Sequence, residues 1–123
     1  VNITATSQSK SAVSATATVT VTSTASGIQV YFPVMPPTSM TVNSSTALTA
    51  LSLNDTANAG VDWTVTCGTS GSCGTFSPTH TLGSQFTTYT APGTVPAGST
   101  VTVKAASTTS PDAFAQATIT ITQ

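Results

Sequence analysis

Two cysteines, one histidine and three aspartates are the side chains of this sequence that could do chemistry. Cys67 and Cys73 bracket the stretch Gly68-Thr69-Ser70-Gly71-Ser72, which bends easily enough to bring two thiols together. In an exported chain this spacing reads as a local disulfide. A zinc site is the alternative, but zinc takes four ligands and His80, the single histidine, has no partner at ligand spacing. His80 follows Pro78-Thr79 and reads as a solvated loop residue. A catalytic base would need a nucleophile and an orienting carboxylate, and the many serines include no Gly-x-Ser-x-Gly elbow. The chain has no glutamate, so the paired carboxylates of a glycoside hydrolase are missing. Asp55, Asp62 and Asp112 lie far apart in sequence. One aspartate per turn is little for calcium, and for Asp112, after Pro111, a turn role suffices. We expect no enzyme, no cofactor and no metal.

The aromatic residues are read in the same way. Trp63 sits between Val61 and Val65 on an alternating run and is expected in the core, although a tryptophan could also serve as a ligand platform. Tyr89 precedes Ala91-Pro92 and is expected to pack near one end of the fold. Tyr31 faces opposite to Phe32 and is the aromatic expected to be exposed, which makes it a candidate for contact between modules. Asn2-Ile3-Thr4, Asn43-Ser44-Ser45 and Asn54-Asp55-Thr56 fit the N-glycosylation pattern, which a chain rich in threonine produces by chance.

Elements must position these residues, and composition limits what the elements can be. The 123 residues leave room for one domain and little else. Charged residues make up 4% of the chain, and the net charge is -1. Two lysines cannot hold a phosphate backbone, so nucleic acid is excluded as a partner. No apolar run approaches the roughly 18 residues of a membrane-spanning helix, so no membrane insertion is expected. Serine and threonine fill over a third of the positions, which gives a soluble surface without charge. Mean hydropathy is positive and β-branched residues abound, so the sequence reads as folded sheet. Val1 begins inside a strand-like pattern with no signal peptide ahead of it, as expected of a processed or excised piece.

Alternation with period two recurs, separated by Gly, Pro, Asn and Asp. Val1, Ile3 and Ala5 share one face; Val13, Ala15, Ala17, Val19 and Val21 share another. These are two strands joined around Ser9-Lys10-Ser11. A linker at 23–27 follows. Ile28, Val30, Phe32 and Val34 begin a first strand that Pro33, Pro36 and Pro37 interrupt, as an edge strand that switches sheet would be, and Met40 and Val42 continue it. A second strand is expected from Thr46 to Leu53, with a bulge to reconcile its two apolar phases. Val61–Cys67, Thr75–Ser77, Gln85–Thr90, Val101–Ala105 and Ala113–Ile121 complete about seven strands. The expected core comprises Val61, Trp63, Val65, Val101, Val103, Ile119 and Ile121.

One long-range pattern organises the whole. Residues 1–22 reappear without a gap at 101–122: Val1-Asn2-Ile3-Thr4-Ala5 matches Val101-Thr102-Val103-Lys104-Ala105, and Ala15–Thr22 matches Ala115–Thr122. A fixed period marks a repeat array. Val61-Asp62-Trp63-Thr64-Val65, Gly74-Thr75-Phe76-Ser77-Pro78-Thr79, Tyr89-Thr90-Ala91-Pro92 and the closing Val101–Ile121 stretch resemble bacterial Ig-like repeat domains, the tandem modules of large surface and secreted proteins. The resemblance implies an immunoglobulin-like antiparallel β-sandwich over 28–123, preceded at 1–22 by the last two strands of an adjacent repeat or by a strand-complementing segment. The antibody pattern of an inter-sheet disulfide does not carry over, since both cysteines lie in one connection.

The expected function is structural: an extracellular module of a cell-surface protein or filament, assembling head-to-tail with copies of itself or adjacent repeats. Tyr31, Val1, Ile3, Val19 and Val21 are the expected inter-module contacts, and residues 1–22 are expected to complete a neighbouring or covalently preceding module. The alternative is an adhesin or carbohydrate-binding module that touches a surface glycan.

Overall fold

Thr, Val and Ile alternate along several stretches of this chain, and each regular element among the described residues of the computed structural model is a strand. The structure describes residues 2–6, 14–18, 27–68 and 72–123. Strands β1 (Asn2–Thr6) and β2 (Ser14–Thr18) pair with each other as an antiparallel hairpin and with no other described strand. The remaining elements are β3 (Gln29–Tyr31), β4 (Ser39–Thr41), β5 (Ser45–Leu48), β6 (Leu51–Leu53), β7 (Val61–Cys67), β8 (Thr75–Ser77), β9 (His80–Thr81), β10 (Thr87–Thr90), β11 (Thr100–Ser107) and β12 (Phe114–Thr122).

These strands form an all-β sandwich. One layer is a five-stranded sheet in the order β4-β12-β11-β7-β9; β5-β10-β8 forms a separate three-stranded sheet, and β3-β6 a two-stranded one. Neighbours are antiparallel except β4, which joins β12 in parallel. Alternation decides what faces inward: Val61 and Trp63 of β7 are buried while Asp62 and Thr64 are exposed. Along β11, Val101, Val103, Ala105 and Ser107 are buried, and Ile119 and Ile121 of β12 join them. Leu48, Ala50, Tyr89 and Ala91 close the core from the facing layer.

The segment Pro33–Pro37 carries the chain from β3, paired with β6, to β4, paired with β12. Proline suits this crossing because it has no N–H to give to a ladder. Val34, expected to continue the inward alternation of the first strand, is instead 73% exposed within this crossing. The single bulged strand expected over 46–53 is two strands. Leu48, Thr49 and Ala50 are buried in succession, which one pleated strand cannot do, so the ladder breaks there. β5 then pairs with β10 and β6 with β3.

The strand directions fix where the chain comes in and leaves. Gln29 pairs with Leu53, just before the 54–60 loop that leads up to β7, and Asn54 Nδ2 donates to the carbonyl of Gly27 at 3.3 Å. β7 runs away from that end, β11 returns and β12 runs away again, so Thr122 ends on the side of Cys67. Gly27 and Thr122 therefore lie at opposite ends of the sandwich.

Candidate functional site

Cys67 and Cys73 form a disulfide with Cα atoms 5.5 Å apart, closing the loop between β7 and β8. A disulfide fits a compartment outside the reducing cytoplasm. Among the described residues no helix is long and apolar enough to cross a membrane. The loop is tied to the core from within: the Tyr89 hydroxyl donates to the Cys73 carbonyl at 2.6 Å. Gly74 makes this approach possible. Its φ is +96°, and a Cβ there would stand 2.4 Å from the Thr90 carbonyl oxygen and 2.6 Å from the Tyr89 hydroxyl. Tyr89 is fully buried, and burial pushes its phenol up to about 12.

Trp63 is buried, and its indole N–H donates to Thr81 Oγ1 at 2.8 Å. Four aromatic rings run through the sandwich in sequence. Phe32 lies 6.1 Å from Trp63, Trp63 lies 5.4 Å from Phe76, and Phe76 lies 5.1 Å from Tyr89. The sequence places Phe32 and Phe76 on strands but does not reveal them as ring partners of Trp63, because the three come from segments remote in the chain. Val65 is half-buried against the core; Val61, Val101, Val103, Ile119 and Ile121 are buried within it.

His80 is not a free loop residue. It sits on β9 opposite Asp62 of β7, and its Nδ1 lies 2.8 Å from Asp62 Oδ1 in an exposed pair. Aspartates scattered in sequence thus serve separate structural purposes. Asp55 accepts hydrogen bonds from the Gly60 N–H at 3.0 Å and from Ser52 Oγ at 3.3 Å. The Gly60 N–H above all holds its carboxyl below the usual carboxylate range. Asp112 is exposed in the turn between β11 and β12. Among the described residues, no three of His, Cys, Asp and Glu come together as a metal site, and there is no pocket.

What the structure does bring together is a pair of hairpins. In β1–β2 the opposed residues are Asn2 and Thr18, Ile3 and Ala17, Thr4 and Thr16, Ala5 and Ala15, and Thr6 and Ser14. In β11–β12 they include Thr102 and Thr118, Val103 and Ala117, Lys104 and Gln116, Ala105 and Ala115, and Ala106 and Phe114. Every pair of the first hairpin recurs in the second at the same 100-residue displacement. The cross-strand site that holds Lys104 and Gln116 holds Thr4 and Thr16 in the first hairpin, with hydroxyls 3.2 Å apart.

Of the residues expected to contact another module, Tyr31 is 40% exposed on β3, opposite Leu51. Ile3 lies in β1, paired with Ala17. Val1, Val19 and Val21 lie outside the described residues. Comparison with protein-family models, curated proteins and solved structures returned no match.

Proposed function

We propose that this chain is a structural module of an extracellular bacterial surface protein or filament, built from Ig-like repeats joined head-to-tail and performing no reaction. The observation that carries this reading is the register shared by the two hairpins. Sequence similarity alone could reflect a common taste for threonine and valine. The same five pairings, each displaced by one period, support one supersecondary unit used twice.

Topology supports the Ig-like part of the reading. The three-stranded β5-β10-β8 sheet and the β7, β11 and β12 ladder, with a leading segment that changes partner from β6 to β12, fit the strand sets such sandwiches use. Polarity supports the tandem part. A chain that comes in at one end and leaves at the other can be strung into a line of modules without doubling back. The surface suits a passive role, since threonine and serine give it solubility with only five charged side chains.

Particle shape and glycan affinity together test the proposal. Small-angle scattering of the isolated protein is expected to show an elongated particle, and a glycan array to show no binding. A compact particle that binds a glycan would move the assignment to an adhesin or carbohydrate-binding module.

A further inference from the structure

Each edge of the β11–β12 hairpin is filled. On the β11 side lies β7, antiparallel, with Val65 opposite Val103 and Trp63 opposite Ala105. On the β12 side lies β4, in parallel. The β1–β2 hairpin has the same internal register, yet no described strand of residues 27–123 pairs with either of its edges. A two-stranded hairpin alone is marginal in water, and its edges present unpaired N–H and C=O groups.

The sandwich of this chain cannot supply the missing neighbours. Its seat is already held by β11 and β12. The linker is also too short. A hairpin in that seat would bring residue 22 to the end where Thr122 lies, whereas Gly27 is tied at the other end. Five residues reach at most roughly 18 Å. The six steps from Val61 to Cys67 already span roughly 20 Å, and Thr122 lies beyond Cys67, since Val101 pairs with both Cys67 and Ile119.

We propose that residues 1–22 are the closing hairpin of a second sandwich of this type, seated between a β7-like strand beside β1 and a parallel β4-like strand beside β2. The occupant of those edges is a repeat body of the kind found here at 28–100, on the N-terminal side. Register makes the assignment specific. Ile3 takes the Val103 position, opposite a residue equivalent to Val65, and Ala5 takes the Ala105 position, opposite a tryptophan. Alanine stands at both 5 and 105, and at 105 its small side chain lies opposite Trp63. This inference rests on the tandem-repeat reading and gives it a defined contact.

The test is a transplant within the full chain: residues 101–122 are replaced by the sequence of residues 1–22. The expected product unfolds cooperatively, forms the Cys67–Cys73 disulfide and shows the blue-shifted emission of a buried Trp63. Ala5→Trp within the transplanted copy is expected to abolish the cooperative transition and the disulfide; emission is not read in this variant, because it carries a second tryptophan. A second variant keeps the native 107–113 turn and exchanges only the strands, Asn2–Thr6 for 102–106 and Ser14–Thr18 for 114–118. Water-exposed Trp63 emission without a cooperative transition in both variants would overturn the proposal, and so would indifference to Ala5→Trp. Failure of the transplant alongside elongated particles would remove the seat and keep the tandem reading. A folded transplant alongside compact particles would do the reverse.

Discussion

Ala105 stands directly opposite Trp63 across the β7–β11 ladder, and both residues are buried. The small side chain leaves room for the indole, whose N–H reaches Thr81 on the same side of the core. Ala105→Leu adds three carbons where the packing leaves no space. We expect a loss of about 1–3 kcal/mol in denaturant unfolding, with red-shifted Trp63 emission.

Gly74 occupies a backbone conformation that L-residues avoid, and the atom nearest its missing Cβ is a carbonyl oxygen, which cannot swing aside. Gly74→Ala is expected to destabilise by more than about 1 kcal/mol. It should also loosen the Tyr89–Cys73 hydrogen bond, visible as faster exchange of amides around β8. A Gly83→Ala control has open space around its Cβ, so its cost is limited to the backbone conformation.

Tyr89 gives the fold an alkaline limit. Its phenol titrates near 12 in the folded chain against a reference value of 10.0. Below pH 10 it is neutral in both states and its contribution is complete. Between pH 10 and 12 the unfolded chain releases the proton first, so stability falls as pH rises. Thermal unfolding from pH 9 to 12 should show this decline. Tyr89→Phe should flatten it while costing about 0.5–1.5 kcal/mol at neutral pH for the lost bond to Cys73.

The disulfide spans a sequence separation of only 6. Reduction, or paired Cys67→Ser and Cys73→Ser substitution, should cost about 2 kcal/mol and leave the chain folded at room temperature. Calorimetry with and without reductant reads this directly. A chain that unfolded completely would show that the loop does more than stiffen the β7–β8 connection.

The His80–Asp62 contact is short, but both side chains face solvent. Asp62→Asn is expected to change unfolding free energy by less than about 1 kcal/mol.

Alternation made the fold legible. Wherever apolar and polar residues alternate cleanly, as from Val61 to Val65 or Val101 to Ala105, the strand and its inward face follow from the pleat. Where the apolar phase shifts, as between Leu48-Ala50 and Leu51-Leu53, alternation has no answer, and the break between β5 and β6 appears only once their partners β10 and β3 are known. The disulfide was legible from local spacing. The aromatic succession Phe32–Trp63–Phe76–Tyr89 and the His80–Asp62 pair were not, because each joins residues brought together by sheet order rather than by sequence. The two hairpins lie between these cases. Their kinship is written in the sequence, but their common register is a property of the paired backbones.

Electron microscopy of the protein as isolated, with the axial repeat measured, tests the central claim most directly. The nine residues of β12 span roughly 30 Å, so a sandwich with its end loops advances about 30–40 Å. The structural reading predicts a fibre with one sandwich per axial step of that size. Dispersed compact particles with the β1–β2 hairpin docked on their own sandwich would contradict it.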